Sequence, residues 1–407
     1  MQRNSRGAGQ AGLARKAMIA VMARRAALVA ALAMSGCALD DPERDAAAVG
    51  EPSALGGGQC PEFGCGANSP VIDVYGFHEL SVVSATAGVG STTMANKEGF
   101  MIEAVAGAAQ ITKAGTRYAL TVQDGRFLGQ SCARLPCVQL QGAALVGATI
   151  AILRGETHYQ LMITGVRTMP YFLGAGTVEA YTLQWTAPGK PAKNLCSNIS
   201  LLESLIAAQP PSGSGDVSDF ATQELMGMRT FEAIVFEGDR IAKDSKKMSP
   251  GADDRWFNIG CAGHALSKLR LTRNTLHSQI TTTVTTPQQA WQHRQATLRL
   301  LVADYCGNGT ALTVAGQALI WRGDLMEYFG LPPNPELEAR WNESGATCLH
   351  VPRLAHPTSP VGAAAFPDIR GSIRDACLAA GRPVPTDCTA VPDPYAFAGA
   401  FRVSANR

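Results

Sequence analysis

Residues 301–310, LVADYCGNGT, set three reactive side-chain types in a row: Asp304, Tyr305 and Cys306, followed by two glycines. A carboxylate can act as a general base, a phenol can pass a proton, and a thiolate can attack a carbonyl. His264, in the stretch GCAGHALSK, is the residue type that would activate Cys306 or share a proton with Asp304. One reading is therefore a hydrolase or transferase centre built from Asp304, Tyr305 and His264, or from a Cys306/His264 pair. The other is a junction: Asp304 and Tyr305 fasten a helix end by hydrogen bonds, Cys306 is half of a disulfide, and His264 is a partly buried helix residue. The chain's cysteine content favours the second.

Other chemistries find less support. DYCGNG resembles the first half of a calcium loop, but its third position is Cys306, a poor ligand for a hard cation, and its twelfth is Ala315 rather than an acid. The GxSxG, HExxH and Walker A patterns are absent. GAGQAG at 7–12 matches the dinucleotide pattern letter for letter, yet it precedes an apolar leader and no strand runs into it. His158, His277, His293, His350 and His356 show no metal-ligand spacing on one element. Glu237 and Asp239 in FEGDR could act as an acid–base pair, but read better as a solvated turn with a local ion pair to Arg240. Neither a metal nor a cofactor is expected.

The formal charge is +2, unevenly placed. Residues 1–37 hold six basic residues and no acid, which leaves 29 basic against 33 acidic residues, about −4, for the remainder. A mildly acidic body gives no electrostatic reason to expect nucleic acid as a partner. The basic leader has its own logic. Arg24 and Arg25 precede the apolar run AALVAALAM at 26–34, too short to span a bilayer as a helix, and Ser35 and Gly36 then precede Cys37. Met34-Ser35-Gly36-Cys37 resembles the lipobox of a bacterial lipoprotein signal peptide, with Met in place of the usual Leu. That resemblance implies cleavage before Cys37 and a lipid on its sulfur. The expected location is the cell envelope, exported and lipid-anchored to a membrane in a leaflet the sequence leaves open.

Ten cysteines remain: Cys60, Cys65, Cys132, Cys137, Cys196, Cys261, Cys306, Cys348, Cys377 and Cys388. An even number in an exported chain reads as disulfides. Proximity pairs Cys60 with Cys65, Cys132 with Cys137, and Cys377 with Cys388. Four cysteines are then left with three connectivities, among which Cys261 is the natural partner of Cys306. The two CX4C pairs sit at the edge of zinc spacing and have no histidine beside them.

Hydropathy patterning supplies the frame. After a signal peptide at 1–36, residues 37–67 are rich in Gly, Ala, Pro and acids and read as a flexible tether. Residues 68–196 carry short alternating runs separated by turn residues, including SPVIDVYGF, two runs around an Asp-Gly turn in ITKAGTRYALTVQDGRFLG, and a hairpin across RGETH. They predict a β-rich barrel or sandwich. Residues 197–229, with PPSGSGD, read as a linker region. Residues 230–407 predict a disulfide-braced α+β domain: a strand in FEAIVFEGDRI, helices over 261–271 and 287–304, a hairpin in TALTVAGQALIW, and a short helix in RDACLAAGRPVPTDC. Pro287 suits a helix first turn, and Trp291, Leu298, Leu301 and Val302 share one face of that helix. The fold class is α+β.

ADYCGNGT followed by LTVAGQALIW resembles the ADYC-domain proteins, exported bacterial proteins that take their name from the tetrapeptide. FNIGCAGHALSKLRL, EARWNESGATCLHVPR, the strand-rich GAALVGATIAILRGETHYQLMI and the NLC at 194–196 resemble the family's other blocks, in order, over about 120–355. A further cysteine that the family often carries after the helix lysine is absent here, where Leu269 and its neighbours stand. The resemblance implies a fold region and carries over no catalytic residue. The expectation is a structural, adhesion or ligand-binding module of the envelope, with a membrane bound through the lipid and an envelope protein or glycan as partner. A hydrolase or transferase is the alternative.

Overall fold

The computed structural model describes residues 78–84, 92–132, 136–171, 175–196, 232–261, 264–279, 286–313, 320–323, 336–357, 364, 366–390 and 402–406. The expected signal peptide, lipid-bearing Cys37, tether, Cys60–Cys65 pair, first strand and the linker region at 197–229 lie outside these residues.

The first half is one antiparallel sheet. Its strands are β1 (Glu79–Ser81), β2 (Phe100–Ile102), β3 (Ala104–Val105), β4 (Ala108–Lys113), β5 (Thr116–Gln123), β6 (Arg126–Ser131), β7 (Val138–Leu140), β8 (Thr149–Arg154), β9 (Thr157–Pro170), β10 (Thr177–Thr186), β11 (Lys193–Asn194), β12 (Glu232–Gly238) and β13 (Asp253–Cys261). Along the sheet the order is β1-β13-β12-β10-β9-β8-β4-β5-β6-β7, with β2 beside β8, β3 beside β4 and β11 beside β10. The expected turns are where the sequence puts them. Asp124 and Gly125, both at positive φ, close β5 onto β6, and Gly155 and Glu156 close β8 onto β9.

The sheet is not closed into a barrel, which corrects that expectation. It curls until distant strands meet across one face: Phe127 of β6 packs edge-on against Tyr181 of β10 and Phe257 of β13, at centroid distances of 5.0 and 5.6 Å. The chain past β1 touches β4 through a single bridge, Val83 to Ala108, rather than a ladder. Alternation explains the curl. Leu120 and Val122, Ile150 and Ile152, and Leu161 and Ile163 point to one face and bury in a common core. The sheet also crosses the expected boundary at 230. β12 pairs with β10, and β13 pairs with both β12 and β1.

Among the described residues, the second layer holds three α-helices and five strands. α1 (Ala265–Leu271) follows β13 directly. α2 (Pro287–Val302) opens with Pro287 in its first turn and Thr286 as N-cap, whose hydroxyl accepts from Gln289 N at 3.2 Å. β14 (Ile320–Gly323), β15 (Glu336–Asn342), β16 (Gly345–Leu349), α3 (Ile369–Ala379), β17 (Thr386–Asp387) and β18 (Arg402–Asn406) complete it. The strand order is β14-β18-β15-β16-β17. β14 therefore pairs with the C-terminal β18, and the turn of the expected TALTVAGQALIW hairpin lies outside the described residues. α1, α2, α3 and the inner face of β15 and β16 share a core of Leu266, Leu269, Leu298, Leu301, Trp341 and Ile373.

Candidate functional site: the Asp304–Cys306 junction

α2 ends where the motif begins. Ala303 takes the left-handed conformation at the C-cap, and Asp304 N bonds back to Arg299 O at 2.9 Å. The Asp304 side chain is fully buried and accepts from three donors. Asn308 N reaches Oδ1 at 3.1 Å, Gly309 N reaches Oδ2 at 2.8 Å, and the Arg299 guanidinium closes on the same oxygen. Arg299 also donates to Ser245 O at 2.7 Å, and Lys246 Nζ donates to Gly309 O at 2.5 Å. The carboxylate thus holds the turn after α2 closed and ties it to the loop between β12 and β13.

The two glycines of that turn are required. Gly307 and Gly309 both have positive φ, and a side chain at either would overlap backbone: Ser344 at the first, Asp244–Ser245 at the second. Close approach at Gly307 lets Ala346 N bond Tyr305 O at 2.9 Å, which joins the motif to the β15–β16 hairpin.

Tyr305 points the other way, into the core. Its hydroxyl donates to Glu338 Oε1 at 2.6 Å, and its ring stacks on Trp341 with centroids 5.1 Å apart. Glu338 also receives a two-pronged contact from Arg353, Nε at 2.6 Å and Nη2 at 2.9 Å, and Arg353 Nη2 caps Leu300 O at 2.9 Å. Burial first, and then the charge of Glu338, push the Tyr305 phenol well above its usual range, so it remains a donor. Burial, the largest single influence, would lower Arg353, but Glu338 and Tyr305 together outweigh it and hold the guanidinium charged.

Cys306 is bonded to Cys377 and pins α3 to this junction. Asn308 Nδ2 adds a bond to Ala376 O at 3.3 Å. The expected pairing of Cys132 with Cys137 is present. Two others are corrected. Cys388 joins Cys348 rather than Cys377, because β17 runs beside β16 and carries the next cysteine to that strand. Cys261 joins Cys196 rather than Cys306, because it ends a sheet strand and faces the sheet core, not the helix layer.

His264 sits at the N-cap of α1, 1% exposed, and its carbonyl accepts from Ser267 Oγ at 2.8 Å. Among the described residues, no hydrogen bond or ion pair joins it to Asp304 or Cys306. Glu237 and Asp239 are both buried, against the expectation of a solvated turn, and have separate tasks. Glu237 Oε2 accepts Gly125 N at 3.0 Å. Asp239 pairs with buried Arg294 at 2.9 Å and accepts Leu276 N at 2.9 Å. Arg240 bonds Glu79 at 3.0 Å and covers the Trp256 ring. No group of three His, Cys, Asp or Glu side chains among the described residues could hold a metal.

Lys268, one turn past His264, is a residue that the sequence pattern does not flag. It is 1% exposed, and its Nζ has no hydrogen-bond partner among the described residues. Burial, and secondarily the charge of Arg353, push the amine down to about 7.

These features define a class: an α+β chain in which an open, curled antiparallel sheet is joined to a helix-and-sheet layer, with disulfides within and between its elements. The chain belongs to the ADYC domain family, which matches residues 142–355, more than half of it. No curated protein and no solved structure matches. The match begins at Gly142, later than the resemblance to about 120, and includes α1, α2, the motif and the β15–β16 hairpin with Glu338 and Arg353.

Proposed function

We propose that this chain is an exported, lipid-anchored module of the cell envelope whose task is structural, adhesive or ligand-binding. The observation that carries the non-catalytic part is the employment of the motif. Both oxygens of Asp304 are engaged by Arg299 and the following turn, Tyr305 donates to a glutamate already paired with Arg353, and Cys306 is in a disulfide. A thiolate nucleophile needs Cys306 reduced, and a general base needs Asp304 exposed to substrate. The export part rests on the disulfides, which persist in oxidising compartments. It agrees with the leader ahead of Cys37. No helix among the described residues is long and apolar enough to cross a membrane. On this reading the lipid on Cys37 holds the chain to the membrane, residues 37–67 act as the tether, and an envelope protein or glycan is the partner.

The test is metabolic labelling with a radioactive fatty acid in a bacterial host. Wild type takes up label, and Cys37→Ser does not; label retained in the variant would refute the anchor.

A further inference from the structure

Gly125, in the β5–β6 turn, and Gly176, just ahead of β10, approach a pair of arginines at the end of α1 that have no acidic partner among the described residues. Arg270 lies within α1 and is 2% exposed. Arg273 follows the helix and is half-buried. Both guanidiniums face Tyr171, at the end of β9: Arg273 Cζ lies 4.1 Å from the ring centroid and Arg270 Cζ 5.4 Å. The turns are cut to fit them. A side chain at Gly125 would collide with the Arg270 guanidinium, and one at Gly176 would meet Arg273 Nη2 at 2.9 Å.

The charges are not balanced. Arg270 donates to Asp124 O and, at 3.4 Å, to Thr275 Oγ1. Its Nε is buried and without an acceptor among the described residues, and so is Arg273 Nε. Neither arginine has an ion pair among the described residues. Glu237 reaches the same turn but bonds Gly125 N instead. A guanidinium offers five N–H donors in a fixed fork, and a buried charged donor left unmatched costs free energy. Burial first, and in part the charge of Arg270, pull the Arg273 pKa down, as expected for two cations held together. Two such groups beside an aromatic face have the charge and the donors to hold an anion with several acceptor oxygens.

We propose that Arg270 and Arg273, beside the Tyr171 ring, form a binding site for a phosphate group. A phosphate or phosphomonoester carries about −1.5 to −2 charges at pH 7 and has acceptor oxygens for both forks. The proposal rests on reading the domain as a binding module; it does not depend on the lipid anchor.

The experiment uses the full chain, with phosphate binding measured calorimetrically at constant ionic strength. Inorganic phosphate, glycerol phosphate and acetate are the probes. Saturable binding of phosphate, weakened about tenfold or more by Arg273→Gln, is expected from the loss of charge-assisted bonds. Tighter binding of glycerol phosphate would identify an ester as the source; equal binding would identify the free ion. A measurement that needs no variant runs alongside: phosphate should protect Arg273 of the wild-type protein from phenylglyoxal, read by peptide mass mapping. Equal modification with and without phosphate, equal affinity in Arg273→Gln, or acetate binding as well as phosphate would overturn the proposal. Those results would leave the anchor untouched, since fatty-acid labelling reports on it separately.

Discussion

Lys268→Met should stabilise the protein, and the gain should fall as pH rises. The wild-type amine is buried, has no hydrogen-bond partner among the described residues, and is pushed from 10.5 to about 7. In the unfolded chain it titrates near 10.4. Between those values the unfolded chain binds the proton and the folded one does not, so wild-type stability rises with pH across the window. Below about pH 7 both states are protonated, and the folded state bears the full cost of a buried ammonium. At about 1.4 kcal/mol per pK unit, a displacement of about 3.5 units corresponds to roughly 5 kcal/mol at pH 6. By pH 9 about 2 kcal/mol of it remains, by the same linkage. Methionine has a similar length and no charge, so its advantage over wild type should shrink by about 3 kcal/mol from pH 6 to pH 9. Urea unfolding of both proteins at the two pH values, without reductant, measures this directly. A difference that is the same at both pH values would show that the amine is solvated or paired in the folded protein, and would refute the reasoning.

Four further outcomes follow from the junction. Replacing both Cys306 and Cys377 by Ala opens a link spanning 71 residues and should cost about 4 kcal/mol by the loop-entropy relation, read as a drop in urea midpoint. Tyr305→Phe keeps the stack on Trp341 and removes one donor to Glu338, costing about 1–2 kcal/mol, whereas Glu338→Gln removes the counter-charge of buried Arg353 and should cost about 3–5 kcal/mol. Gly307→Ala must shift the Ser344 backbone and hold a side chain at positive φ, so a loss of at least about 2 kcal/mol is expected; an unchanged melting temperature would contradict the close approach.

Local features were legible in the sequence. Alternation and turn residues located β4 to β6, β8 and β9, and Pro287 with the apolar face of 287–304 located α2, because these signals act over a few residues. Closure of the sheet was not legible, since it depends on which distant strand β12 and β13 join. The same limit misassigned Cys261 and Cys377. Spacing along the chain favours short loops, while pairing is decided by which strand or helix face brings two sulfurs together. The motif was read correctly as a helix end, but its partners were out of reach: Glu338 and Arg353 lie more than thirty positions away and show only as polar residues in a β-hairpin region. Lys268 was hidden for a related reason. A lysine inside an apolar helix normally extends its amine to water, and only the packing of α1 within the second layer prevents that.

The central claim is that Asp304-Tyr305-Cys306 is a structural junction. Proteolytic mapping of the protein under non-reducing conditions, after alkylation of free thiols, tests it most directly. The account predicts one peptide pair linking Cys306 to Cys377 and another linking Cys348 to Cys388, with no alkylation at Cys306. A stoichiometrically alkylated Cys306 in folded, active-length protein would contradict it and restore the thiol as a candidate nucleophile.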